Sequence, residues 1–192
     1  ISSFFNFNLF TNMAHKQQFE FVQKVKSLYP SYFSNSVVYD FGSLDINGSN
    51  KEHFENSTYT GIDIGEGKNV DVISKAHEFK PVKKADVVIS TEMLEHDMYW
   101  EKSLENMLSV LKPNGLLIIT CATTGRREHG TARSSNGDSP FTSKIGEWAD
   151  YYKNLTVEDV ASVLHPKINF YPSFENATTE FPCDYQFWGI KK

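Results

Sequence analysis

Three apolar runs of the sequence each end in acidic or small polar residues that could contact a small ligand. The first run, Val37-Val38-Tyr39, is followed by Asp40-Phe41-Gly42-Ser43. The second ends at Asp63, and the third is followed by Thr91-Glu92. A glycine lets the backbone approach a ligand, and a carboxylate can accept hydrogen bonds from both hydroxyls of a ribose. These residues therefore predict a site for a nucleoside-type ligand.

The spacing of the glycines limits the ligand further. Asp63 follows the glycine loop by about twenty residues, the separation of a ribose-binding acid in nucleotide-binding folds. Gly42 and Gly48, however, do not form the G-x-G-x-x-G pattern that brings helix amides onto a pyrophosphate. P-loop spacing is absent too. The pattern favours a ligand without a pyrophosphate and argues against a nicotinamide-dependent reductase.

The elements around these residues alternate between helix and strand. Phe21, Val25 and Leu28 recur at helical spacing before Pro30, and a second helix is predicted over 100–111. The continuous apolar runs at 85–90 and 116–121 are typical of parallel strands buried on both faces. Such alternation predicts an α/β fold with a mostly parallel sheet, in which ligands bind at the carboxyl ends of the strands.

The segment 122–155 breaks this alternation and is too long for an ordinary connection. We call it the insertion and expect it to cover a bound substrate, which we call the acceptor. After it, Thr156 and Asp159 predict the start of a helix, and extended pieces are predicted at 168–171 and 185–190. The candidate acceptor-binding residues in the insertion are Arg126, Arg127, Trp148, Tyr151 and Tyr152, with Arg133 as a further cation. The alternative is a solvated arginine loop over an ordinary aromatic cluster.

Composition excludes several classes of protein. The chain has 192 residues and a formal net charge of −5, so it offers no basic field for nucleic acid. No apolar run is long enough for a membrane span, and Cys121 and Cys183 form no disulfide framework, which favours a cytoplasmic location. We expect one domain over 13–192, with Met13 as the natural start and 1–12 as a non-native or disordered extension.

Four motifs together resemble a known family. They are Asp40-x-Gly42, Asp63 at the end of the second strand, ISTEMLEH at 89–96 and LKPNG at 111–115. In this order they are similar to the class I S-adenosylmethionine-dependent methyltransferases, in particular the small single-domain, type 11-like group that acts on metabolites and sugars. The resemblance implies a Rossmann-like, doubly wound sheet of seven strands in the order 3-2-1-4-5-7-6. The last strand would be antiparallel, and helices would cover both faces.

The resemblance also implies a role for each matching residue. Asp40 and Gly42 would line the methionine part of S-adenosylmethionine, Asp63 would bind the ribose, and 74–77 would flank the adenine. The full implied set is Asp40, Phe41, Gly42, Ser43, Asp63, Ile64, Ala76, His77, Thr91 and Glu92. One departure is Lys75, which stands where the family often has an aspartate that contacts the adenine.

His96 and His129 are the candidate general bases, because a neutral imidazole can take a proton from an acceptor hydroxyl near neutral pH. An ordinary core or surface role is the alternative for each. The set Glu92, Glu95, His96 and His129 also resembles the divalent metal site of small-RNA 2′-O-methyltransferases. Many metabolite methyltransferases carry a similar Glu-His pair without a metal, so the sequence favours no metal ion here.

The sequence therefore predicts a methyltransferase that acts on oxygen of a small molecule or a sugar or glycan precursor. Nitrogen acceptors stay open. The alternative is a non-catalytic, methyltransferase-like subunit that binds cofactor or a protein, although such a subunit has no reason to retain Asp63. We expect no nucleic-acid or membrane partner, and a monomer or homodimer.

Overall fold

The computed structural model of the protein describes residues 16–192, so the expectations for 1–12 and Met13 lie outside the described residues. Its sheet has seven strands in the order β3-β2-β1-β4-β5-β7-β6, as predicted. The strands are β1 (Val37–Phe41), β2 (Thr58–Asp63), β3 (Val72–Ile73), β4 (Ala85–Thr91), β5 (Leu111–Ala122), β6 (Phe170–Thr178) and β7 (Asp184–Lys191). The first five strands run parallel, and β7 runs antiparallel to both β5 and β6.

Four helices of the described residues 16–192 pack on this sheet. They are α1 (16–28), α2 (Trp100–Val110), α3 (Val157–Leu164) and α4 (Pro166–Asn169). The start of α3 is fixed by the predicted capping box, in which Thr156 accepts from the amide of Asp159 while the Asp159 carboxylate accepts from the amide of Thr156. No helix within 16–192 is long and apolar enough to cross a bilayer.

Both faces of the central strands are buried. On β4, Val88 belongs to a core cluster with residues of α2 and α3, whereas Val87 and Ile89 belong to a second cluster with residues of α1. Because successive side chains of a strand point to opposite faces, this division accounts for the continuous apolar run in the sequence. The doubly wound architecture is confirmed.

The register of the parallel strands aligns their carboxyl ends. Phe41 at the end of β1 pairs with Ile62 on β2 and with Ser90 on β4. The residues that follow these three positions therefore meet at one edge of the sheet. This alignment is what brings Gly42, Asp63 and Thr91 to a common site, with Asp40 one residue before the end of β1.

Three local predictions differ from the structure. Leu28 is 52% exposed, whereas Val22 is buried with its neighbours on the inner face of α1. Val22 and Leu28 both lie three residues from Val25, so helical spacing alone does not decide which of them is buried. Helix α2 ends at Val110, one residue early, since Leu111 already pairs with Ala85 in the sheet. A helical turn, α4, replaces the extended start predicted at Ile168, because Pro166 is favoured at the first position of a helix.

The insertion contains no α-helix or strand beyond the end of β5, as its sequence indicates. Its regular parts are three 3₁₀ turns at Asn136–Asp138, Thr142–Lys144 and Gly146–Trp148. Its end is tied to the sheet, since the Leu155 amide donates to the Ala122 carbonyl and the Thr123 hydroxyl donates to the Leu155 carbonyl. The insertion is thus a long loop that leaves and returns at the end of β5.

Candidate active site

The carboxyl ends of the strands open into a cavity of about 970 Å³, which the insertion helps to enclose. This volume lies at the upper end of the usual range for ligand pockets. Two groups of predicted site residues line it. The strand-end group comprises Asp40, Gly42, Ser43, Asp63, Ile64, Ala76, Thr91 and Glu92. The histidine–arginine group comprises His96, Arg126, Arg127, His129 and Trp148.

Asp40 is a buried carboxyl group at the floor of this cavity. The Tyr59 hydroxyl donates a hydrogen bond to Oδ2 (2.6 Å), whereas Oδ1 has no hydrogen-bond partner in the described structure. Burial raises the pKa of Asp40 to about 7, and the hydrogen bond from Tyr59 opposes that rise. A half-satisfied buried carboxyl group is costly, so Oδ1 is well suited to receive a donor from a ligand.

The loop after β1 needs its glycine for both conformation and space. Gly42 has a φ of +81°, and a Cβ atom built on it would lie 2.5 Å from Cβ of Met93. Its amide donates to the Ile62 carbonyl (2.9 Å), which holds the loop against β2. The next residue, Ser43, is buried with its hydroxyl unpartnered. The loop therefore lies close to the cavity, with the unpartnered Ser43 hydroxyl packed beside Gly61 of β2.

Asp63 joins two of the strand-end loops. Its carboxylate accepts from the Leu44 amide (3.1 Å) after β1 and from the Ile64 amide (2.7 Å) after β2. Burial raises the pKa of Asp63, and these amide donors oppose the rise. A carboxylate has about four acceptor positions, and the amides of Leu44, Ile64 and Gly65 do not fill all of them, so Asp63 can still accept from a ligand hydroxyl in the cavity.

Two members of the predicted cofactor set do not line the cavity. Phe41 is fully buried, and its ring packs edge-on against Phe79 in the core. The ring of His77 lies against Tyr99, with 4.7 Å between centroids, while its neighbour Ala76 does line the cavity. Successive side chains of a strand point to opposite faces of the sheet. A motif matched by position therefore includes residues, such as Phe41, whose side chains point away from the cavity.

The insertion reaches the strand-end group as well as the predicted acceptor side. A Cβ atom at Gly65, just beyond β2, would lie 2.6 Å from the ring of Phe141. The aromatic ring therefore packs directly on the glycine backbone that follows Asp63. No sequence pattern predicts this contact, because the two residues are far apart along the chain and the insertion has no periodic pattern.

Arg126 lies in a buried network of carboxylates. Its guanidinium donates to Asp184 Oδ1 (2.7 Å) and to the Pro182 carbonyl (3.0 Å), and it lies 3.6 Å from Glu92 Oε2. Burial together with the Glu92 carboxylate raises the pKa of Asp184 to about 8, against the lowering effect of Arg126. Arg126 is thus engaged by the protein itself, and Asp184 is a site residue that the sequence analysis missed.

His96 and His129 lie together at the cavity wall, with ring centroids 4.9 Å apart and the rings perpendicular. His96 is buried, and that burial lowers its pKa to about 3, with a further contribution from His129. Beside them, Glu95 is fully buried, and burial and the nearby Glu92 carboxylate raise the pKa of Glu95 well above its usual range. The three residues form the main ionisable cluster of this wall.

The remaining predicted acceptor residues separate into two kinds. Arg127 is exposed and lines the cavity, and Trp148 lines it with a buried ring. Tyr152 lies behind the histidines, 5.1 Å from the ring of His129, and Tyr151 packs against the core. Neither tyrosine is among the described residues that line the cavity. The aromatic residues that line the cavity are Trp148 and Phe141 of the insertion, together with Phe19 and Phe181.

The fold and the motifs agree with a family assignment. A family model described as a methyltransferase domain matches residues 13–175 of the chain. Among curated proteins, no sequence matches the chain significantly. Many solved structures resemble the fold of this chain. Three of them, each of low sequence identity, are a 1,6-didemethyltoxoflavin-N1-methyltransferase, NodS and a magnesium protoporphyrin IX methyltransferase.

One similar structure is the 1,6-didemethyltoxoflavin-N1-methyltransferase of Burkholderia thailandensis, solved with 1,6-didemethyltoxoflavin and S-adenosylhomocysteine. It is 16% identical with a TM-score of 0.59, and the match covers 86% of this chain and 75% of that chain. The N-methyltransferase NodS of Bradyrhizobium japonicum WM9 is 15% identical with a TM-score of 0.57, over 96% of this chain and 97% of its own.

A third is the magnesium protoporphyrin IX methyltransferase of Synechocystis PCC 6803, solved with bound S-adenosylmethionine. It is 14% identical with a TM-score of 0.62, and the match covers 95% of this chain and 82% of that chain. At such identities the likeness shows the fold, and the family model shows the membership. The chain belongs to the methyltransferase-domain family and has the class I fold, as the order of its motifs predicts.

Proposed function

We propose that the protein transfers a methyl group from S-adenosylmethionine to an oxygen atom of a small-molecule or sugar-containing acceptor. The observation that carries this proposal is the composition of the cavity. Its strand-end group has the carboxylate and backbone expected for the cofactor, and its histidine–arginine group lines the same cavity. One continuous space can therefore hold cofactor and acceptor side by side.

The strand-end group fits S-adenosylmethionine on its own chemistry. The carboxylate of Asp63 can still accept from a ribose hydroxyl. The unpartnered Oδ1 of Asp40 and hydroxyl of Ser43 can receive the polar end of the methionine part, whose ammonium group is a donor. Gly42 lets the loop that carries Ser43 pack closely on Met93 beside the cavity. Bound there, the cofactor supplies a methyl group already activated by its sulfonium.

Since the methyl group is activated, the protein has to position the acceptor and allow it to lose a proton. Arg127 and Trp148 are the proposed acceptor contacts, because both line the cavity and the contacts of the described residues include no hydrogen bond or ion pair of the Arg127 guanidinium. His96 is a poor general base near neutral pH, because its pKa is lowered to about 3. This leaves His129 as the histidine of the cavity wall that can act on the acceptor.

Nitrogen acceptors are the alternative within the same reaction, and two of the similar structures are N-methyltransferases. The non-catalytic subunit is the alternative from another class. The unpartnered polar atoms of Asp40 and Ser43 argue against it, since a protein that binds no ligand gains nothing from leaving buried polar groups unsatisfied. Both free cysteines are consistent with the proposed cytoplasmic location.

The first test is calorimetric titration with S-adenosylmethionine and S-adenosylhomocysteine. We expect micromolar binding to the wild type and a loss of about 100-fold or more in Asp63→Ala, since hydrogen bonding to a charged group is removed. Asp63→Asn keeps an acceptor for only one of the Leu44 and Ile64 amides, because these amides donate to different carboxylate oxygens, so it shows whether the charge and the second acceptor are needed.

Asp86→Ala is the matched control for that test. Asp86 is also an aspartate bound to a backbone amide, that of Val37, and it pairs with Lys112, but it does not line the cavity. Thermal unfolding monitors folding of each variant. Binding of neither compound to folded wild-type protein would overturn the proposal, as would equal losses in the Asp63 and Asp86 variants.

A further inference from the structure

Glu95, His96 and His129 form a cluster in which each residue offers one atom that could coordinate a metal ion. One carboxylate oxygen and one ring nitrogen from each histidine all lie within 4.8 Å of one another. Within this set, His129 Nε2 is 3.9 Å from Glu95 Oε1. Three residues from two distant parts of the sequence thus bring their lone-pair atoms to one point.

The tautomer of His129 explains why this point lacks a donor. Its Nδ1 lies 3.1 Å from the Arg127 carbonyl oxygen, and since a carbonyl only accepts, Nδ1 must carry the hydrogen. In the neutral ring Nε2 then presents a lone pair to Glu95. In metal sites, a ligating imidazole usually donates its other ring N–H to a carbonyl or carboxylate, which fixes the tautomer and the orientation of the ring. Two acceptors facing each other require a cation or a proton between them.

Unpartnered buried atoms supply a second, independent observation. Glu95 is fully buried, and although the Ala122 amide donates to its Oε1 (3.2 Å), its Oε2 has no hydrogen-bond partner. His96 is 4% exposed, and its Nδ1 is likewise unpartnered. Arg126 is the nearby cation, but its guanidinium is bound to Asp184 and the Pro182 carbonyl. The network around Arg126 therefore leaves the lone pairs of this cluster unsatisfied.

The cluster is also held rigidly. Glu95 and His96 lie on the 3₁₀ turn Leu94–His96, whose Glu95 carbonyl accepts from the Lys153 amide (2.9 Å). On the other side, Gly130 has a φ of +69°, and a Cβ atom there would lie 2.5 Å from Cε1 of His96. Only a glycine lets the loop carrying His129 approach His96 this closely, so the sequence preserves the meeting of the two histidines.

We propose that Glu95, His96 and His129 bind one divalent first-row transition-metal ion, such as Zn²⁺, Co²⁺ or Mn²⁺. Two imidazoles and one carboxylate suit these ions better than Mg²⁺ or Ca²⁺, which prefer oxygen ligands. Ligands of a tetrahedral ion with bonds of about 2.1 Å lie roughly 3.4 Å apart. The 3.9 Å gap between His129 and Glu95 closes to that value with a shift of about 0.5 Å.

The ligand set differs from the one that the sequence resemblance implies. Glu92 is not part of the cluster, because its Oε1 accepts from the Thr120 hydroxyl (3.0 Å) and its Oε2 faces Arg126. Three protein ligands leave further positions open, and both His96 and His129 line the cavity. This is the coordination of a catalytic site, which keeps a position for water or substrate.

The role of the ion rests on the proposed function, although its binding does not. A hydroxyl group of the acceptor that occupied an open position would have its pKa lowered by the ion and would release its proton to water of the open cavity. His129 would then act as a ligand and not as a base. The cavity would select acceptors whose reacting hydroxyl can coordinate a metal ion.

Metal titration of protein purified without a histidine tag and treated with chelator tests the site directly. We expect one equivalent of Co²⁺ to bind with a visible absorption band of bound cobalt, Zn²⁺ to displace it, and Mg²⁺ not to compete. His129→Ala should weaken Co²⁺ binding by about 100-fold or more, and Glu95→Gln should do the same while keeping the shape of the side chain. His129 is on the loop, so its variant should remain folded.

His165→Asn is the matched control, because His165 lies at the end of α3, away from the cavity, in a left-handed conformation that asparagine tolerates. It should bind Co²⁺ as the wild type does. No cobalt band at millimolar metal in folded protein would overturn the proposal, and so would equal losses in the His129 and His165 variants. Titration with S-adenosylhomocysteine in chelator is independent of these results, so a failed metal site and a failed cofactor site are distinguishable.

Discussion

The strand-end group and the histidine–arginine group line the same cavity but are positioned by different forces. In the strand-end group, Asp40, Gly42 and Asp63 follow strands whose register is fixed by a sheet buried on both faces. In the histidine–arginine group, Arg126 and His129 lie in a loop without regular structure. They are held by hydrogen bonds to Pro182, Asp184 and Arg127.

This difference has a consequence for evolution and for experiment. Residues fixed by strand register can change only if the sheet changes, so the strand-end group is suited to a ligand common to a whole family. A loop held by side-chain contacts can be rearranged at low cost to the core. The comparison therefore predicts that substitutions in one group affect the cofactor, and that substitutions in the other affect the acceptor or the metal.

After Asp63→Ala, the largest expected effect on cofactor affinity comes from Gly42→Ala. The substitution combines a backbone φ of +81° with a Cβ contact of 2.5 Å to Met93, so the loop must move away from β4. Strain of this kind costs about 1–3 kcal/mol, and we expect affinity for S-adenosylhomocysteine to fall by roughly 5- to 150-fold in calorimetry. Gly137→Ala is the control, because a Cβ atom there meets nothing within 4 Å. Unchanged affinity in Gly42→Ala would contradict the rigid strand-end group.

A smaller effect is expected from Arg127→Ala, which examines the other group. Once screening has provided an acceptor, its KM should rise about tenfold, since one charge-assisted hydrogen bond is lost. Affinity for S-adenosylhomocysteine should stay the same. Arg133→Ala is the matched control, because Arg133 is an exposed arginine of the same insertion that pairs with Glu128 and does not line the cavity. An equal loss of cofactor and acceptor affinity in Arg127→Ala would contradict the division into two groups.

The smallest expected effect is a pH dependence within the strand-end group. Because the pKa of Asp40 is raised to about 7 by burial, its ionised fraction grows from about one tenth at pH 6 to one half at pH 7. If the ionised form receives the ammonium group of the cofactor, affinity for S-adenosylhomocysteine should rise about fivefold over this interval. Asp40→Asn should remove the dependence.

Stability should change in the opposite direction. The folded protein holds a proton on Asp40 that the unfolded chain loses at about its ordinary pKa, so the free energy of unfolding should fall as pH rises from about 4 to 7. Urea unfolding of wild type and Asp40→Asn at several pH values measures this slope.

For the affinity measurement, a fivefold rise between pH 6 and pH 7 that persists in Asp40→Asn would assign the pH dependence of cofactor binding to another residue.

The sequence alone predicted the strand-end group, and the four motifs carried the resemblance that implies the sheet order. Continuous apolar runs in the central strands, a proline or glycine at element ends and an acid at the ends of β1 and β2 are local features, which involve only residues that are neighbours in the sequence. Phe41 and His77 mark the limit of this approach, since a matching position does not show to which face a side chain points. The sequence also named both histidines as candidate bases, with an ordinary core or surface role as the alternative, and it favoured no metal ion.

Only the tertiary structure decided how distant residues meet in the second half of the cavity. The contact of Phe141 with Gly65, the bond between Arg126 and Asp184 and the approach of His129 to Glu95 all join segments far apart in sequence. An irregular loop has no repeating hydrophobic pattern from which its path could be inferred. Its position follows from buried charges and hydrogen bonds that exist only after the sheet has formed.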